Sequence, residues 1–148
     1  MLKKVLAVFA GYLTMLVFIF AVFTGLYLAI GPDRAFEPGT YEVSMLWLVL
    51  SLTLSLVAAI LGGYVCAVVG NSSAAVRSLA ILVVALGILS AWPALDPAKD
   101  PRPNVRTAEV PTMEALMTLR QPPWVAMSLP FIGAVGILIG AARVRRKP

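Results

Sequence analysis

The sequence predicts an all-α membrane protein: four transmembrane helices with both ends on the cytoplasmic side and one proline-rich outer loop. Three observations lead there. Of the 148 residues, 60% are hydrophobic and only 13% charged, and the mean hydropathy of +0.92 is too apolar for an ordinary water-soluble core. Four apolar stretches each reach the roughly 20 residues a helix needs to cross a bilayer. The few Lys and Arg residues cluster at the ends of those stretches, which is how membrane orientation is encoded.

The spans run roughly over 5–30, 43–69, 74–92 and 124–142, in one domain covering 1–148. The first follows Lys3 and Lys4. It is longer than the 7–15 residues of a signal-peptide core, and no clear small-x-small site follows, so it reads as a retained anchor. None of the four carries a charge in its middle; Arg77 lies near the start of the third.

With the N-terminus inside, Lys3, Lys4, Arg77, Arg143, Arg145, Arg146 and Lys147 are cytoplasmic. Outside lie Arg34, Lys99, Arg102, Arg106 and Arg120, with all seven acids. Charges that abut a helix count most toward orientation, and those of long loops count least. Trp47, Trp92 and Trp124 fall at outer helix ends, with Tyr27 and Tyr41 at the same level. They are expected as headgroup-level lipid anchors, as are Arg143, Arg145, Arg146 and Lys147 on the other side.

The connections differ in character. Residues 31–42 form a short outer turn around Pro38-Gly39. Residues 70–73 form a tight hairpin in which Gly70 or Asn71 ends one helix and Ser72 or Ser73 caps the next. The outer loop, 93–123, holds seven of the eleven prolines. Within it Thr112–Arg120 reads as a short interfacial helix, capped by Thr112, with Met113, Leu116 and Met117 on one face. The loop serves either as a lid on its own bundle or as a docking surface.

Several chemistries are disfavoured. Intramembrane ionisable residues, the usual marks of ion paths and proton relays, are missing at mid-membrane depth, including the buried glutamate of small multidrug exporters. There is no histidine to ligate haem or metal, and Cys66 stands alone, so no internal disulfide can form. No catalytic residues, cofactor or metal site are expected, nor nucleic acid: the basic residues do not share a polar face. Asp96, Asp100 and Glu109 would have to converge for an enzyme of lipid or envelope metabolism.

Small residues recur at helix-contact spacing. The second span carries Ser51, Ser55, Ala59, Gly63 and Ala67, each four residues from the next. The fourth carries Gly136 and Gly140, the first Ala21, Gly25 and Ala29, the third Gly87 and Ala91. Lipid offers no hydrophobic drive for helices to associate, so close backbone approach supplies much of it. These faces serve either packing inside this bundle or contact with a partner.

Gly11-Tyr12 in the first span, and Gly62-Gly63-Tyr64-Val65-Cys66-Ala67 late in the second, resemble a loose class of small bacterial inner-membrane proteins that share a four-helix layout and a basic tail. The resemblance implies a bacterial source and the topology above, and carries no functional residues; the long proline-rich loop departs from the class. The expected function is a non-catalytic accessory or scaffold subunit of a larger inner-membrane complex, bound to lipid and to a membrane-protein partner. The alternative is a small transporter or channel acting as a homo-oligomer, supported by the mildly polar set Thr14, Thr24, Tyr64 and Ser90.

Overall fold

The computed structural model describes residues 2–92, 105, 117–118 and 120–145. Its helices are α1 (Leu2–Ile30), the single turn α2 (Pro32–Ala35), α3 (Met45–Gly70), α4 (Ser73–Ala91) and α5 (Pro123–Arg145). All but α2 are long and apolar enough to span a membrane. In hydrocarbon every backbone N–H and C=O must be satisfied within the segment, so apolar runs of this length become helices. The chain is a multi-pass membrane protein.

Each connection has a local cause. Pro32 occupies the first turn of α2, where its missing N–H costs nothing. The chain then turns back at Pro38-Gly39: Gly39 has φ +72°, which suits glycine at the third position of a turn. The Thr40 N–H closes that turn on the Glu37 carbonyl at 3.2 Å. Ser44 then ties the start of α3 to α2. Its side chain accepts from the Trp47 N–H at 3.2 Å as the N-cap of α3 and donates to the Arg34 carbonyl at 2.6 Å. Its backbone N–H reaches the Ala35 carbonyl at 2.9 Å. At the far end of α3, Asn71 takes the left-handed conformation, and its N–H bonds the Ala67 carbonyl at 2.9 Å. Ser72 precedes α4 without a side-chain cap bond.

The two ends of the bundle are thereby distinct. The terminal end holds the start of α1, the α3–α4 hairpin and the end of α5. The loop end holds α2, the end of α4 and the start of α5. Helix α3 is central, packed on both α1 and α5, while α4 leans chiefly on α5.

The core divides the same way. Towards the terminal end, Ala7, Met15, Ala59, Cys66, Leu79 and Ile137 form one buried cluster. Three helices converge there: a Cβ added to Gly11 of α1 would lie 2.8 Å from Cys66 Cβ, the Gly62 carbonyl and a Leu79 methyl. Towards the loop end, Tyr27, Phe36, Tyr41, Val43, Trp47 and Val125 form a second cluster, rich in aromatics.

Cys66 is fully enclosed in the first cluster. A maleimide is expected to leave it unlabelled in mild detergent and to label it completely after denaturation in SDS. Equal rates in the two conditions would show that α1, α3 and α4 do not pack as described.

The proposed interfacial helix at Thr112–Arg120 falls outside the described residues, except for Met117, Thr118 and Arg120. The first two are helical. Arg120 instead runs alongside the 31–44 turn: its N–H bonds the Tyr41 carbonyl at 2.8 Å and its carbonyl accepts from the Val43 N–H at 3.1 Å.

Candidate functional site

The small-residue ladder of α3 meets the glycines of α5. Ser51, Ala59, Gly63 and Ala67 are buried, Ser55 is half-buried, and Gly136 and Gly140 are buried opposite them. A Cβ on Gly136 would stand 2.6 Å from Ala59 Cβ. One on Gly140 would fall onto the Ile60 carbonyl, and one on Gly63 onto the backbone of Ile137. This seam is what lets two apolar helices touch backbone to backbone, the main cohesive contact available in lipid.

The α1 set differs. Ala21, Gly25 and Ala29 are all exposed, and a Cβ built on Gly25 would meet nothing within 4 Å among the described residues. Helix α1 is also the least buried span, with 17% of its apolar window enclosed against 39% for α5.

The expected lipid anchors part company. Trp92 and Trp124 are exposed at 72% and 60%, whereas Trp47 is 1% exposed and does not stand at the lipid surface. It is clasped edge-on by Phe23 and Tyr27 of α1, with ring centroids 5.8 and 6.2 Å away. Tyr27 in turn meets Phe36, and Phe36 meets Tyr41. Tyr27 and Tyr41 are thus also interior residues, because the 31–44 turn folds down over the end of α1 instead of extending from it. Arg143 is exposed at the terminal end. Arg145 ends α5, and Arg146 and Lys147 lie outside the described residues.

A cleft of about 330 Å³ opens between α1, α3, α4 and α5 on the loop-end side, near the lower bound for ligand pockets, ~300–1,000 Å³. Its wall is apolar apart from Ser55, Ser90 and Gln121, and the Ser90 hydroxyl donates to the Leu86 carbonyl at 2.8 Å. Pro130 lies inside α5 and has no N–H for the Ala126 carbonyl one turn earlier; both residues line the cleft. Across from it Gly87 makes room for the proline ring, since a Cβ there would sit 2.8 Å from Pro130 Cβ. Neither the cleft nor the Pro130–Gly87 pairing was foreseen from the sequence; a proline within the fourth span was the available signal.

No ionisable side chain lines the cleft among the described residues, so those residues offer it binding and no proton transfer. Of Thr14, Thr24, Tyr64 and Ser90, only Ser90 reaches it; the Thr14 hydroxyl turns back to the Ala10 carbonyl at 2.8 Å. Asp96, Asp100 and Glu109 lie outside the described residues. Among those that are described, no three His, Cys, Asp or Glu residues come together.

No protein-family model, curated protein or solved structure matches the chain.

Proposed function

We propose that the chain is a non-catalytic accessory subunit of a larger protein complex in a bacterial cytoplasmic membrane, and that it meets its partner along the loop-end half of α1. The supporting observation is the uncovered stripe Ala21-Gly25-Ala29. The α3 and α5 small-residue faces are engaged with each other, while this one is exposed. A small-xxx-small stripe in lipid favours close approach of another helix.

In this reading both termini face the cytoplasm. Lys3, Lys4, Arg77 and Arg143 are exposed at the terminal end, and Asp33, Glu37 and Glu42 are exposed at the loop end. Among the described residues the basic side chains at the loop end are Arg34 and Arg120, so the Lys/Arg excess lies at the terminal end, as the positive-inside rule asks of a cytoplasmic face.

Mild solubilisation is expected to recover the chain together with another membrane protein. Gly25→Leu should sharply reduce that recovery, because the larger side chain blocks close helix approach, without changing the chain's own thermal unfolding. Elution of the wild type as a lone monomer, with no other protein trapped by crosslinking in native membranes, would end the proposal. Crosslinks from position 25 only to a second copy would favour a homo-oligomeric transporter or channel instead, to be tested by flux into liposomes.

A further inference from the structure

The seam between α1 and α4 opens a second time, at the terminal end. A groove of about 470 Å³ lies there, separate from the loop-end cleft, with Lys4, Val8 and Tyr12 on the α1 wall and Ala75, Ser78 and Leu82 on the α4 wall. The two openings share no lining residue: on α1 and α4 the loop-end cleft is lined by Met15, Ile19, Val83, Gly87, Ser90 and Ala91.

We propose that this groove binds one acyl chain of an anionic phospholipid, with the lipid phosphate held at its mouth by Lys4. Three observations carry the assignment. The first is charge. Lys4 lines the groove, and Lys3, Arg77 and Arg143 are also exposed at this end, while Asp33, Glu37 and Glu42 are on turns at the opposite end. An anion is therefore drawn to this mouth with no competing carboxylate among the described residues. The second is length. From Lys4 to Tyr12, and from Ala74 to Leu82, each wall runs nine residues, whose eight helical rises make about 12 Å. That covers most of one leaflet's share, about 15 Å, of the hydrocarbon layer. The third is polarity along the groove. Its wall is apolar between the charged mouth and its inner end, interrupted by the hydroxyls of Tyr12 and Ser78, so it matches a molecule with an anionic head and a hydrocarbon body.

A cation at a membrane surface attracts anionic lipid in any geometry, so the test must separate the groove from diffuse attraction. The protein is reconstituted in vesicles of phosphatidylcholine with a minor fraction of phosphatidylglycerol carrying a photoreactive acyl chain. After illumination, labelled peptides are mapped. Label is expected on the facing segments of α1 and α4, around Val8 and Leu82. Lys4→Gln should lower it about fivefold, the scale of one charge beside an anionic headgroup. Lys3→Gln, which removes a neighbouring charge that does not line the groove, should lower it far less. Ser78→Phe starts from an exposed position and fills the groove without entering the buried core, so it should abolish the α1–α4 label. Unchanged thermal unfolding shows that each variant is folded.

Equal losses from Lys3→Gln and Lys4→Gln would overturn the proposal in favour of diffuse surface attraction. So would label that survives Ser78→Phe in a folded protein, or equal labelling by photoreactive phosphatidylcholine. Crosslinking of this groove to a second copy of the chain, with lipid excluded, would overturn it as well.

Discussion

Trp47→Ala is expected to destabilise the protein by about 3–5 kcal/mol, the range for removing a large buried aromatic. The expectation rests on placement: Trp47 is enclosed at 1% exposure, among the largest fully buried side chains described. It joins the start of α3 to α1 through its edge contacts with Phe23 and Tyr27. Tyr27 then carries the contact on to Phe36 and the 31–44 turn. Edge-to-face pairs add about 0.5–1.5 kcal/mol each beyond the area they bury, and two of them end at this ring. The same substitution at Trp92 or Trp124, both exposed, should stay within about 0.5 kcal/mol. Unfolding titrations with SDS, in mixed detergent micelles, measure all three variants on one scale.

Trp47→Phe refines the test. The buried indole N–H of Trp47 has no hydrogen-bond acceptor among the described residues, and an unpaired buried donor costs about 1–3 kcal/mol. Phenylalanine removes that donor while keeping a ring for Phe23 and Tyr27, so most of the wild-type stability should remain. A loss as large as that of the alanine variant would mean that the N–H has an acceptor in the membrane. Losses within about 0.5 kcal/mol at all three tryptophans would mean that Trp47 belongs to the surface after all.

The contrast between Trp47 and its two counterparts also marks how far the sequence was legible. Existence and approximate extent of the four spans followed from apolar length alone, since lipid forces such runs into helices. The expected 43–69 and 124–142 correspond to Met45–Gly70 and Pro123–Arg145. Which face of each helix is buried was harder to read, because lipid-facing and core-facing positions are both apolar and no polar stripe separates them. A tryptophan at the end of a span looks the same whether it meets headgroups or other rings. Phe23, Tyr27, Phe36 and Tyr41 nearby were the available clue that Trp47 had aromatic company. The two openings along the α1–α4 seam depend on where those helices approach and diverge. Spacing in one helix carries no information about that. The α3 ladder and the α5 glycines were legible as contact faces because small residues repeated every four positions are the requirement for backbone approach. Their mutual pairing, and the exposure of the α1 stripe, came only with the assembled bundle.

That pairing yields the other large effect. Gly140→Leu is expected to prevent native association of α3 with α5, because even a Cβ at this position falls onto the Ile60 carbonyl and lies 2.9 Å from the Tyr64 nitrogen. Backbone cannot swing aside as a side-chain tip can, so the helices must separate. Their separation also removes the contacts at Gly63 and Gly136 along the same seam. Gly140→Ala should already cost about 1–3 kcal/mol, the usual scale of overpacking. At Gly133 the nearest neighbour of an added Cβ is a Val83 methyl at 3.0 Å, which can shift by a small rotation, so Gly133→Ala should be milder. At Gly25 nothing lies within 4 Å among the described residues, and Gly25→Ala should leave the isolated chain's stability unchanged or slightly raised through better helix propensity. The expected order of destabilisation is therefore Gly140→Leu, then Gly140→Ala, then Gly133→Ala, with Gly25→Ala last. SDS titration of the alanine variants and elution profiles of the leucine variant read that order directly. If Gly140→Leu unfolds no more readily than Gly25→Leu, α3 and α5 do not meet along this seam. The Gly25 result then also bears on the proposed partner: a substitution that is harmless to the isolated bundle, yet releases a bound protein, locates a face that the fold itself does not use.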